Sequence, residues 1–251
     1  MRLKDKVALV TGGSRGLGRA VCLRLAAEGA AVGVNFRARA GDAQEVVETI
    51  AAQGGRALAL QADVGVPEQV TAMMDRVEEA FGPLDILVNN AGTAEAARTG
   101  ELGRDHWQRT MDTDAWGVVV CAQQAAPRMA GRGGHMVNVS SIFASCGAKH
   151  SMAYSAAKAA VEAITRCLAV ELGREGVVVN CVAPGLVRTQ MSRAYWESER
   201  FMAALTHRTP AGRIAEPEDI APVIVFLCTD DANWLRGQVI TADGGAGIAV
   251  I

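Results

Sequence analysis

From one end of the chain to the other, short runs of aliphatic and β-branched residues alternate with longer amphipathic stretches, and this limits the fold more than any other feature. The runs at residues 7–10, 31–36, 57–61, 86–88, 135–139, 177–182 and 238–240 read as strands. Most are apolar at successive positions, as expected of strands covered on both faces. Helical patterns at 16–28, 43–53, 67–81, 105–129, 152–172 and 217–228 separate them. Pro67 and Pro217, each followed by a glutamate, suit a first helical turn. Repeated β-α units imply a parallel sheet, so the predicted class is α/β, one doubly wound sheet of about seven strands with helices on both faces. No linker or internal repeat divides the chain, and residues 1–251 are read as one domain. The long strand-free stretch 186–216, carrying Met191, Tyr195, Trp196, Phe201 and Met202, reads as a lid over a site.

Composition removes several classes of function. Half of the residues are hydrophobic and 21% are charged, enough apolar material for a sizeable core. The 25 basic and 27 acidic residues leave a formal charge of -2, with no overall cationic field for nucleic acid or anionic lipid. No apolar run approaches the ~20 residues of a membrane span, and the densest covers only residues 223–228. Residues 1–6 lead into the first strand without a signal-peptide cleavage pattern, so a cytoplasmic location is expected. Six scattered cysteines with no CxxC pair, and four scattered histidines, predict no metal site and buried free thiols.

The first strand ends in a turn where Gly12, Ser14, Arg15, Gly16, Leu17 and Gly18 run directly into a helix. Glycines there permit a tight turn and let backbone N–H groups approach a pyrophosphate, while the positive end of the helix favours the anion. About 20 residues further on, NAD-binding sheets place a carboxylate on the ribose 2′-hydroxyl. This chain has Asn35-Phe36-Arg37 instead, with no acid. Arg37, assisted by Arg15, can pair with a 2′-phosphate, so NADP(H) is the predicted cofactor.

A second constellation lies downstream. Tyr154 and Lys158 stand four apart in an alanine-rich helical stretch and so share a face. A free phenol titrates near 10, and a neighbouring ammonium favours its ionised form. Ser141 follows the apolar run at 135–139, where the end of a parallel strand borders a ligand crevice.

Together these motifs resemble the short-chain dehydrogenase/reductase family over nearly the whole chain. The TGxxxGxG pattern matches Thr11, Gly12, Gly16 and Gly18, and NNAG stands as Asn89, Asn90, Ala91 and Gly92. YxxxK matches Tyr154 and Lys158, PGxxxT matches Pro184, Gly185 and Thr189, and Asp63-Val64 occupies the family's adenine position. Arg15, Asn35-Phe36-Arg37 and the segment 237–245 most resemble the 3-oxoacyl-carrier-protein reductase type. The resemblance implies a Rossmann fold and a carbonyl reductase, with Tyr154 as proton donor and Ser141 bonded to the substrate oxygen. Lys158 would hold the nicotinamide ribose and Thr189 the carboxamide.

One position departs from the family. Asp114 stands where its catalytic asparagine, which kinks the helix and anchors a water, is expected. An ionised aspartate donates no hydrogen bond and offsets the field of Lys158, so reduction is expected to survive better than alcohol oxidation. Two other readings follow: a sugar, polyol or steroid dehydrogenase, or a dinucleotide-binding regulatory protein with little turnover. Substrate contacts are expected from residues 93–95, 142–146, 186 and 191–202, suiting a bulky, poorly charged small-molecule or acyl-carrier-bound ketone. Arg132 and Arg174 are candidates for meeting an acidic carrier. The resemblance implies a homotetramer built through helices 105–129 and 152–172, and the apolar ending at 247–251 is expected to pack against something.

Overall fold

The computed structural model describes residues 1–248, and residues 249–251 of the apolar ending lie outside the described residues. Ile248, the first large apolar side chain of that ending, is exposed.

Seven parallel strands form one sheet in the order β3-β2-β1-β4-β5-β6-β7. They are β1 (Val7–Val10), β2 (Ala31–Phe36), β3 (Arg56–Gln61), β4 (Ile86–Asn89), β5 (Gly134–Val139), β6 (Val177–Pro184) and β7 (Val239–Ala242). The order reverses direction between β1 and β4, so the chain leaves these two paired strands toward opposite sides, and the crevice where doubly wound sheets bind ligands lies outside their carboxyl ends. Helices α1 (Gly16–Ala27), α2 (Ala40–Ala52) and α9 (Pro217–Leu227) cover one face. Helices α3 (Pro67–Phe81), α5 (Gly117–Met129) and the end of α6 (Met152–Leu172) cover the other.

Alternation along β1 divides the core. Ala8 and Val10 pack into the α1/α2/α9 layer, whereas Val7 and Leu9 pack into the α3/α5 layer, and all four are buried. That is why the strand is apolar throughout. Each fully buried aliphatic side chain contributes about 1.5–3 kcal/mol. The edge strand β3, with one side unpaired, is the most exposed of the first six.

Three expectations need correction. The helical pattern at 105–129 is not one helix: α4 (Arg104–Met111) and α5 are joined by a wide π turn, Asp112–Trp116, closed by the Gly117 amide on the Asp112 carbonyl. The apolar periodicity runs through the junction and hides the extra residue. The stretch 186–216 is likewise partly helical, holding α7 (Arg193–Trp196) and α8 (Glu199–Arg208). Of the six thiols, four are buried, but Cys146 and Cys167 are exposed. Among the described residues, no helix is long and apolar enough to cross a membrane.

Candidate active site

The turn after β1 is held by side-chain amides. Gly12 and Gly16 adopt positive φ, 61° and 52°, which glycine tolerates without a Cβ penalty. At Gly18 a Cβ would lie 2.2 Å from the Gly12 carbonyl, so α1 can approach the turn only through glycine. Asn35, buried at the end of β2, accepts the Gly12 amide at 3.1 Å and donates to the Leu60 and Ala62 carbonyls. Asn90 donates to the Thr11 and Gly12 carbonyls, and Thr11 Oγ1 receives the Asn90 and Ala91 amides. The ends of β1, β2 and β4 are thereby joined around one cradle with the amino end of α1 at its floor.

Arg15 is the residue before α1 and donates to Gln190 Oε1 at 2.7 Å. Arg37 lies beyond β2, two-thirds exposed, 3.7 Å from Asp63. Asp63 Oδ1 accepts the Gly65 amide at 3.0 Å, which holds the turn carrying Val64.

The other half of the crevice is built on β5 and α6. Ser141 is the second residue beyond the β5 end, and its Oγ accepts the Phe143 amide at 3.2 Å, leaving its hydroxyl proton uncommitted to that bond. Tyr154 and Lys158 stand one turn apart on α6, with the Lys158 Nζ 5.6 Å from the Tyr154 ring centre. Phe143 meets the same ring edge-on at 6.5 Å. Lys158 is buried and donates to the Val139 carbonyl at 3.0 Å. Its second neighbour is Asp114 Oδ2 at 3.4 Å.

Asp114 is fully buried in the π turn. Its Oδ1 accepts the Thr93 amide at 2.7 Å, while Oδ2 has no hydrogen-bond partner. A Cβ on Gly92 would come within 2.8 Å of that oxygen, so the glycine makes room for the carboxylate. Burial pushes the Asp114 carboxyl above the usual carboxylate range, against the pull of Lys158 and the Thr93 amide. Burial works against the Lys158 ammonium too, but the neighbouring Asp114 carboxylate leads the contributions that outweigh it and lift the group above its ordinary value.

A single cleft of about 890 Å³ is lined by Ser141, Tyr154, Lys158 and every residue expected to hold the cofactor, whereas Asp114 lies behind Gly92 and Lys158. Pro184, Gly185 and Thr189 border it after β6, with Thr189 against Gly16. Of the anticipated substrate contacts, Thr93, Glu95, Ile142, Phe143, Leu186, Met191, Tyr195 and Phe201 line the cleft. Trp196 does not: its indole donates to the Thr189 carbonyl and it packs under Arg188. Arg132 and Arg174 precede β5 and β6 and so sit at the opposite end of the sheet, away from the cleft. Gln190 and Arg213 line the cleft without having been anticipated, because no motif or periodicity marks either. Among the described residues, no group of three or more His, Cys, Asp or Glu is placed to hold a metal.

A family model described as enoyl-(acyl carrier protein) reductase matches residues 12–247. An uncharacterized oxidoreductase of Methylorubrum extorquens is 42% identical over 245 residues, covering 97% of this chain and 98% of that protein. The 3-oxoacyl-[acyl-carrier-protein] reductase FabG of Staphylococcus aureus is 39% identical over 241 residues, 96% of this chain and 97% of that one. The crystal structure of a gluconate 5-dehydrogenase from Burkholderia cenocepacia, in complex with NADP and tartrate, superimposes with a TM-score of 0.94 at 32% identity, covering 99% and 98% of the two chains. Likeness that is continuous along the sequence and the fold makes this chain a member of the short-chain dehydrogenase/reductase family of oxidoreductases.

Proposed function

We propose that the protein is an NADPH-dependent carbonyl reductase acting on a ketone such as a 3-oxoacyl thioester or a secondary-metabolite ketone. The observation that carries this reading is that Ser141, Tyr154 and Lys158 line the same cleft as the glycine cradle. The residues present fit a phosphorylated dinucleotide. Gly12, Gly16 and Gly18, where a side chain would meet Asn90, Thr189 or the Gly12 carbonyl, line the cleft as bare backbone, and no acid ends β2, whereas Arg15 and Arg37 line that arm of the cleft. Gly12, Ser14, Arg15, Gly16, Leu17 and Gly18 would hold the phosphates, with Asn35 fixing the turn. Arg37 and Arg15 would take the 2′-phosphate, and Asp63 and Val64 the adenine. Asn90, Ala91, Gly92, Pro184, Gly185 and Thr189 would border the nicotinamide end, with Lys158 on its ribose.

A bound dinucleotide supplies the hydride. The chain supplies the rest: Tyr154 gives its hydroxyl proton to the carbonyl oxygen, and Ser141 Oγ donates a hydrogen bond to that oxygen as negative charge develops. Lys158, held by the Val139 carbonyl, keeps a positive charge beneath the phenol ring. Met191, Tyr195 and Phe201 of the lid provide an apolar wall for a bulky substrate. We read the chain as one domain with its lid at 186–216, assembled as a homotetramer through residues 105–129 (α4 and α5) and α6. The exposed Met152 and Val170 on α6 support that assembly, and light scattering after size exclusion tests it.

The test of the activity is steady-state loss of NADPH absorbance with a panel of 3-oxoacyl thioesters, aromatic ketones and keto sugars. Continuous consumption with a 3-oxoacyl or aromatic ketone is expected. Binding without consumption across the panel would contradict it, and consumption confined to keto sugars would move the substrate class.

A further inference from the structure

The only fully buried carboxylate among the described residues is Asp114, and one of its oxygens is unpartnered beside the ammonium of the proposed proton-donor pair. We propose that Asp114 is a positioning residue that, through Lys158, holds the Tyr154 hydroxyl protonated to higher pH, and so widens the window for carbonyl reduction while delaying alcohol oxidation. This rests on the carbonyl-reductase reading.

The geometry is specific. The π turn swings Asp114 inward, Gly92 leaves room for Oδ2, and the Thr93 amide fixes Oδ1, so the carboxylate is aimed at Nζ and cannot turn to solvent. With the ammonium alone, the phenol would face a net positive charge, which favours phenolate. With the carboxylate 3.4 Å from that ammonium, the buried pair is neutral overall and its field at the phenol largely cancels.

Other charged groups near the pair do not substitute for it. Cys181 of β6 faces Lys158, but burial pushes its thiol up to about 12, so it stays neutral over the working range. Glu162, one turn beyond Lys158 on α6, is engaged by the Ser140 hydroxyl at 3.1 Å. Glu95, after β4, lines the cleft but is largely exposed and paired with Arg109 at 3.2 Å, where solvent screens it.

Reduction breaks the Tyr154 O–H bond and delivers that proton to the substrate oxygen; oxidation needs the phenolate to accept the alcohol proton. Both directions therefore report one ionisation, and their limbs move together. Removing the carboxylate charge with the isosteric Asp114→Asn should shift the alkaline limb of reduction and the acid limb of oxidation to lower pH by about one unit. As the pH falls and Asp114 takes up a proton, parent and variant should converge.

A direct readout needs neither cofactor nor substrate. The chain has two tyrosines, so in a Tyr195→Phe background the ultraviolet signature of tyrosinate belongs to Tyr154 alone. Asp114→Asn should begin to ionise at lower pH than the Asp114 protein, again by about one unit. Should the asparagine variant fail to fold, Asp114→Ser carries the same expectation. Coincident titrations, or a shift to higher pH, would overturn the inference. A shifted phenol titration in a protein that reduces no ketone would uphold the charge effect while removing the proposed function.

Discussion

The two walls of the cleft are made differently. The cradle around Gly12, Asn35 and Asn90 is held by backbone groups and side-chain amides, the Asn35 amide buried, that bond across the strand ends. The lid across from it is made of partly exposed side chains, with Met191 49% and Phe201 40% exposed, and it touches the cradle through Arg15–Gln190 and Thr189–Gly16. A wall built from backbone can bind one shape only, which suits a cofactor. Its partner, built from side chains on short helices, can vary with the substrate at little cost to the fold.

The sharpest way to break this contrast is at the pair beneath the cleft. Lys158→Met should leave Asp114 buried without its ammonium and destabilise the protein by about 3–5 kcal/mol at neutral pH. Burial already raises the Asp114 carboxyl above its unfolded value, so its favourable contribution exists at acid pH and is lost as pH rises through the folded value. The melting temperature of the variant should therefore recover toward the parent on acidification; a constant deficit would contradict the assignment.

Within the cradle, Gly18→Ala should cost about 1–3 kcal/mol, because the added methyl meets the Gly12 carbonyl and the Asn90 amide. Calorimetry should show a lower melting temperature, and fluorescence titration should show weakened dinucleotide binding. Arg37→Asp should leave stability nearly unchanged yet shift preference from NADPH toward NADH by about ten- to hundredfold, the scale of one lost charged contact. On the lid, Gln190→Ala removes only an exposed bond, and NADPH affinity should change by about twofold to fivefold. If Gln190→Ala were as damaging as Gly18→Ala, the lid would be part of the rigid frame.

The same contrast explains what could be read from the sequence. The strands were legible because both faces of the sheet are covered, so β1, β2 and β6 are apolar at nearly every position. The cradle was legible because its glycines and amides are local in sequence. The π turn was not legible in the periodicity, since one additional residue barely disturbs an apolar pattern; only the family resemblance at Asp114 pointed to a kink there and to a carboxylate beside Lys158, 44 positions on. Helix α8 did leave a trace, since Ser198 followed by Glu199 is a helix-start signal and its hydroxyl accepts the Phe201 amide. Gln190 and Arg213 left none, because their place in the cleft depends on how the lid folds back over β1 and α9.

Tyr154→Phe, studied for binding and turnover in the same preparation, tests the central claim most directly. The phenyl ring preserves the contact with Phe143 and removes the proton. NADPH affinity should stay within about twofold, while turnover on an accepted ketone falls by about 10²–10⁴. Turnover equal to that of the parent would mean that the proton comes from elsewhere and that the proposed role of this cleft is wrong.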